Sequence, residues 1–341
     1  MKTSIRQSQC RSSLILTAVA STLLFSASSV RGETHRFTPT EYHNTFSAGH
    51  RPVLTLKPGD HLITKTIDAS GFDSQGQKVG QGPNPETGPF FIEGAEPGDV
   101  LVVHLEKIEP NRATAFSGSL LAPYAVDPGF LRSEGLRDQQ NQTWTIDKKR
   151  GIASLESTSF RPGKIEIPLK PMLGCVATAP AGKQAISTST PDTFGGNMDY
   201  NGMVAGIKLM LPVFEAGALL FLGDGHAAQG DGEVIGNALE TSMDVEFTVE
   251  LIKRKTIRWP RAENQDFIMV LGSARPLLEA LQHATTEMQR WLMADYGFDE
   301  RGSSLLIGHM VKYDIANIVD PHFTAVAKIP KSCLTVKEMD K

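Results

Sequence analysis

The run 207-IKLMLPVFEAGALLFL-222 is almost wholly apolar, and it leads directly into 223-GDGHAAQGDGEV-234, where two aspartates, a glutamate and a histidine stand among four glycines. The segment 212-PVFEAG-217 reads as a turn, so the run divides into a strand over 207–211 and a second over 218–223 that carries Asp224 to its end. A chain that closes a buried strand in charge and glycine needs a fold whose strand ends open onto a polar site.

The rest of the chain reads as β-rich. A tight-turn unit occurs twice: 53-VLTL-56, the turn 57-KPGD-60 and 61-HLITKTI-67, then 89-PFFIEG-94, the turn 96-EPGD-99 and 100-VLVVHLEKI-108. In 243-MDVEFTVELI-252 apolar and polar residues alternate, as in a strand buried on one face. Strands are also expected at 165–169 and 322–330. Leu277, Leu281, Ala284, Met288 and Trp291 recur at intervals of three and four, which predicts a helix over 276–295. A weaker helix follows over 300–312. The stretch 109–163 is polar and mixed, with an exposed loop expected at 134–151. Strand patterns mix along the whole length, so 33–341 reads as a single domain.

Lys2, Arg6 and Arg11 precede the apolar 12-SSLILTAVASTLLFSASSV-30, and Val30 and Gly32 suit a cleavage site. Residues 1–32 are therefore expected to be a signal peptide, and the mature protein to be secreted or periplasmic with no membrane attachment after cleavage. Cleavage leaves 30 basic against 38 acidic residues, a net charge of −8. That balance argues against nucleic acid as a partner. Cys175 and Cys333 are read as two buried thiols.

Asp224 and His226 lie two residues apart, which places both side chains on one face of an extended strand. A carboxylate and an imidazole converging at a strand end suit Zn²⁺, and the oxygen donors Asp224, Asp231 and Glu233 leave Ca²⁺ open. Asp231 and Glu233 repeat the spacing and are candidates for acid–base work beside a metal. The loop 195-GGNMDYNGM-203 would bring Asn197 and Asp199 to the same place if 207–214 and 217–222 pair as a hairpin around Glu215 and Ala216. The alternative for Asn197 and Asp199 is a plain turn. Asp68, at a strand end, is a further carboxylate. His104, among valines, is expected in the core.

The run 195-GGNMDYNGMVAGIKLMLPVFEAGALLFLGDGHAAQGDGEV-234 closely resembles the acetamidase/formamidase family. So do 87-TGPFFIEGAEPGDVLVVHL-105, 50-HRPVLTLKPGD-60, 272-GSARPLLEAL-281 and 313-YDIANIVDP-321, so that the likeness covers nearly all of 37–331. The resemblance implies a mainly β, sandwich-like fold of antiparallel sheets with a small helical part near the C-terminus. It also implies hydrolysis of a short linear amide of the formamide or acetamide type, a bound metal ion and a homo-oligomer. Carried over by position, the site would include Asn197, Asp199, Asp224, His226, Gln229, Asp231 and Glu233, with His50 and Asp68 as looser members; the metal ligands are expected to be Asp224 and His226, with Asp199 or Asp68 completing the set. Glu233 and Asp231 would be catalytic, and Asn197, Gln229 and His50 would bind substrate. Asp266 stands where many relatives are expected to carry a histidine. The rival expectations are a catalytically silent metal- or amide-binding protein, and a hydrolase of lactams or other C–N substrates.

Overall fold

The computed structural model describes residues 32–134 and 140–334. The expected leader, apart from Gly32, lies outside the described residues. Two sheets pack face to face. The larger has nine strands in the order Thr34–Arg36, His61–Lys65, Met243–Ile252, Val100–Pro110, Lys208–Pro212, Arg261–Glu263, Phe267–Ala274, Phe323–Pro330 and Lys312–Asn317. The smaller has five: Gly195–Asn197, Met172–Ala177, Leu220–His226, Thr87–Ile92 and Leu54–Leu56. Neighbours run antiparallel except Thr34–Arg36 with His61–Lys65 and Leu54–Leu56 with Thr87–Ile92, both at sheet edges. The expected mainly β, sandwich-like architecture with late helices is borne out.

The main core joins Leu62, Leu101, Val103, Val245 and Phe247 of the larger sheet to Phe90, Ile92, Leu173, Leu220 and Leu222 of the smaller. On its other face the larger sheet sets Val100, Val102, Ile268 and Val270 against Ala284, Met288 and Trp291 of the long helix Leu277–Asp295 and Ile307 of the short helix Glu300–Met310. This double burial explains why 100-VLVV-103 lacks alternation, while Met243–Ile252, whose outer face is polar up to Glu250, alternates from Met243 to Leu251. His104 lies on that outer face, half-buried, with Nε2 3.3 Å from Glu250 Oε1; it is not a core histidine. Cys175 is buried, Cys333 is half-buried, and both are free.

The repeated PGD turn carries the chain from one sheet to the other, each time from the five-stranded to the nine-stranded layer. The two copies share their bonding. Asp60 N–H donates to Lys57 O (2.9 Å) and Asp60 Oδ2 accepts from Lys57 N (2.8 Å); Asp99 and Glu96 repeat both bonds at 3.0 and 2.8 Å. Gly59 (φ 96°) and Gly98 (φ 91°) take the left-handed position that such a turn requires. Asp99, buried, also accepts from Arg254 N (2.8 Å) and Lys253 Nζ (2.6 Å), so it ties the crossover to the end of strand Met243–Ile252.

Two expectations about the strands are also overturned. Strands Lys208–Pro212 and Leu220–His226 do not pair as a hairpin, because they belong to different sheets. Ala218 (φ 55°) and Leu219 (φ 59°) are left-handed in succession, which swings the chain across the sandwich instead of folding it back in plane. The 134–151 loop is likewise cut short. Gln142–Asp147 is a strand, with Thr114–Ser117, Ile152–Glu156 and Lys164–Pro168 in a four-stranded sheet. That sheet buries Ala115, Trp144, Ile146, Ala153 and Leu155 against Ala227 and Leu239.

Burial pushes the Asp99 carboxyl up, and the bonds from Lys253, Arg254 and Glu96 outweigh it, so its pKa lies below the usual carboxylate value. Asp99→Asn is expected to cost about 1–3 kcal/mol at pH 7 in urea denaturation. A carboxyl depressed by folding stabilises above its unfolded pKa and loses that contribution as the pH falls through its folded pKa. The gap between wild type and Asp99→Asn should therefore close on acidification.

Candidate active site

Strand Leu220–His226 holds the centre of the site. Its neighbour Met172–Ala177 sets Met172 opposite His226 and Cys175 opposite Gly223, while Cys175 on its other side faces Asn197. One strand thus aligns both motif segments, and Asp199 N–H donates to Gly174 O (3.1 Å). Asn197 and Asp199 reach Asp224 and His226 through this shared partner, not through the expected hairpin.

The glycines here make room. A Cβ on Gly174 would lie 2.3 Å from Asp199 Oδ1 and 2.4 Å from Asp224 Oδ2. A Cβ on Gly223 would lie 2.4 Å from Glu86 Oε2. Three of the acids, Asp199 (φ 45°), Asp224 (φ 53°) and Glu233 (φ 51°), are themselves left-handed. Such a backbone costs a side-chain-bearing residue roughly 1–3 kcal/mol, and its concentration at one site points to function.

His226 is fully buried. Its Nε2 lies 3.2 Å from Asp224 Oδ1 and 3.2 Å from Glu240 Oε2. Its Nδ1 lies 2.9 Å from Gln229 Oε1. Gln229 Nε2 donates to the carbonyls of Asp199 (2.5 Å) and Ala316 (3.1 Å), which fixes the amide so that its oxygen faces the ring. Nδ1 then carries a proton, and in the neutral ring Nε2 presents a lone pair to two carboxylates; with no cation there, burial pulls the His226 pKa down but the charges of Glu240 and Asp224 outweigh it and raise it well above the usual histidine value, so that Nε2 is protonated instead. Asn197 Nδ2 donates to Asp199 Oδ2 and to Asp320 Oδ2, both 2.9 Å, and Asn84 Nδ2 donates to Asn197 Oδ1 (2.6 Å).

Six carboxyls gather around this one imidazole: Glu86, Asp199, Asp224, Glu233, Glu240 and Asp320. Among the described residues no Lys or Arg pairs with any of them. Burial, then the charges of Glu233 and Asp320, pushes Asp199 well up, and burial with Asp320 does the same to Glu233. Burial, then the charge of Asp224, raises Glu86 well above its usual value, and burial raises Glu240. Burial, with Asp224 adding to it, pushes Asp320 up to about 7. At Asp224 burial acts upward but His226 outweighs it and holds the carboxyl down.

Buried polar atoms here lack hydrogen-bond partners: Asp199 Oδ1, His226 Nε2 and Glu240 Oε2, with both oxygens of Glu86. Two groups of buried donor atoms sharing His226, Asp199–His226–Glu233 and Asp224–His226–Glu240, each lie within 4.8 Å of one another. Either donor set can hold a divalent cation.

Asn197, Asp199, Asp224, His226, Gln229 and Glu233 come together as the sequence suggested. Three expected residues do not join them. Asp231 is exposed and accepts from Asn201 Nδ2 (2.6 Å), so it lies outside the cluster although it is two residues from Glu233. Asp68 is committed to Arg112 Nη2 (2.5 Å) and to the backbone N–H groups of Ser70 and Phe72. His50 stacks on His43 at 4.0 Å and bonds Thr45 Oγ1 (2.8 Å). Asp266 sits in an exposed turn with Asn264, so the expected departure there does not touch the cluster. The sequence reading missed Glu86, Glu240 and Asp320. Asp320 lies within the quoted 313-YDIANIVDP-321, and Glu86 immediately precedes the quoted 87-TGP segment.

The fold and the cluster meet their counterparts among known proteins. The Acetamidase/Formamidase family model matches residues 34–184 and 177–336. The crystal structure of an acetamidase from Yersinia enterocolitica is 33% identical, covers 90% of this chain and 95% of its own, and superposes with a TM-score of 0.78. A formamidase of Methylophilus methylotrophus is 21% identical over 87% of this chain and 88% of its own length. A putative formamidase of Schizosaccharomyces pombe is 26% identical, but that match takes in 49% of this chain and about half (51%) of the relative. The chain belongs to the acetamidase/formamidase family, whose members are hydrolases of C–N bonds in linear amides.

Gly174→Ala would drive Asp199 and Asp224 apart. Its amide-hydrolysing activity is expected to fall by about 10²-fold, with the β-sheet circular dichroism kept. Full turnover by this variant would show that the two carboxylates need not sit as they do.

Proposed function

We propose that this chain hydrolyses a linear carboxamide to the carboxylic acid and ammonia, with a divalent cation held at the buried cluster. The observation that carries this reading is the buried His226 Nε2 set 3.2 Å from both Asp224 Oδ1 and Glu240 Oε2. Two buried carboxylates against a lone pair repel unless a cation or a proton lies among them. An imidazole nitrogen among carboxylates favours Zn²⁺ over Ca²⁺. Asp224, His226 and Glu240 would be the ligands, with the open Oδ1 of Asp199 beside them. A cation bound there supplies a Lewis acid for the amide carbonyl and lowers the pKa of a water molecule.

The chain's own groups complete the reaction. Glu233 borders the cleft described below, and its carboxylate lies within 4.8 Å of a His226 ring nitrogen. It takes a proton from the attacking water and passes it to the departing nitrogen, so that water and amide leave as acid and ammonia. Gln229 locks the His226 tautomer, as partners behind metal-binding histidines commonly do. Asn197, held by Asn84, orients Asp199 and Asp320. Export by the leader at 1–32 to a secreted or periplasmic location belongs to the same reading, as does a homo-oligomer.

Ammonia release from formamide, acetamide and larger amides tests the proposal. Chelation should abolish it and Zn²⁺ should restore it. Glu233→Gln should lower kcat by about 10²–10⁴-fold while leaving the fold intact. Wild-type kcat in that variant would remove Glu233 as the base. Ammonia release that survives chelation in protein shown to be metal-free would remove the cation and keep the amidase.

A further inference from the structure

Next to the cluster lies a cleft of about 440 Å³, within the range of small-molecule sites. Its walls are predominantly apolar: Trp144 and Ile167 come from the four-stranded sheet, and Ala228, Val234 and Leu239 from the segment after His226. Trp144 is held in place, its Nε1–H donating to Ser117 Oγ (2.9 Å), and it packs with Leu239 and Ala227 in a small core. The cleft's polar lining includes two groups of the cluster, Gln229 and Glu233. Gln229 bonds His226, and Glu233 lies beside both His226 and Asp199.

A substrate the size of formamide or acetamide would engage Glu233 and leave this space to water. Apolar walls against water forgo binding energy that a larger acyl group would recover. The four-stranded sheet, whose inner residues form those walls, then serves the substrate as well as the fold. Building on the amidase reading, we infer that the cleft is an acyl-group subsite and that the substrate is a primary carboxamide with a bulky apolar acyl chain. The carboxamide lies toward Glu233 and the hydrocarbon runs along Trp144, Ile167 and Leu239.

The test is a series of primary amides from acetamide through butanamide to hexanamide, with phenylacetamide as an aromatic member. Turnover is measured by ammonia release, and equilibrium binding of the same amides to Glu233→Gln protein by calorimetry. The expected kcat/KM rises about fourfold for each methylene buried. Binding should tighten along the same series. In Ile167→Trp, which fills the cleft, the hexanamide-to-acetamide ratio of kcat/KM should collapse toward one. A kcat/KM that is flat or falling beyond acetamide, with the ratio unmoved in Ile167→Trp, overturns the subsite and leaves the amidase standing. Tighter binding along the series without ammonia from any member keeps the subsite and overturns the amidase. Neither binding nor turnover overturns both.

Discussion

Six carboxyls around one buried imidazole are a large electrostatic burden, and much of the local architecture is explained by holding them in place. Like charges in a poorly solvated interior repel strongly, and no Lys or Arg among the described residues relieves them. The chain carries them by rigid placement. Antiparallel register sets Met172 against His226 and Cys175 against Asn197. Bare glycine at 174 lets Asp199 and Asp224 approach from two strands, and left-handed backbone at three acids turns their side chains inward. Gln229, bonded to two carbonyls at once, chooses the imidazole proton. Each device has the same consequence: a set of donor atoms converges where a cation would satisfy them.

The sandwich supplies the rigidity. Its two sheets are stitched by crossovers, and the PGD turns are self-capped, each aspartate bonding back to the start of its own turn. The strand Leu220–His226 pairs with Met172–Ala177 through to His226, and where its pairing with Thr87–Ile92 stops at Leu222 a bridge from His226 to Glu240 holds its end on the other flank. The four-stranded sheet then closes over 227–239 and builds the cleft through which Glu233 faces outward. Fold and site are joined here, because the same apolar packing that seats the small sheet shapes the space beside the Glu233 carboxylate.

What the sequence made legible follows from the range of the interactions. Strand Met243–Ile252 could be read to the residue because one face is solvated, and solvation writes a period of two into the chain. The long helix was equally plain from its buried stripe. Asp224, His226 and Glu233 stood out because local spacing and glycine context mark them. Gln142–Asp147 was hidden in a polar stretch, since it buries only Trp144 and Ile146. Glu86 and Glu240 carry no local signature; they join the site only through strand pairing, His43 N–H and O to Glu86 in one case and Phe116 to Glu240 in the other. The supposed hairpin failed for a related reason: a change of sheet and an in-plane reversal look alike when both are apolar strands around a short turn. Asp231 was misplaced because a spacing of two implies a shared face only in extended backbone, and over Asp231–Glu233 the chain makes a tight turn with Gly232 and Glu233 left-handed.

The proposed function turns on a divalent cation held by His226 Nε2 and the carboxylates of Asp224 and Glu240. Anomalous diffraction at the zinc absorption edge, from crystals grown with Zn²⁺, tests it most directly. A bound cation gives a strong peak within bonding distance of His226 Nε2 and of carboxylate oxygens from Asp224 and Glu240, lost in His226→Ala. Crystals of active protein with no peak there, and with the carboxylates bridged by protons or water, would contradict it.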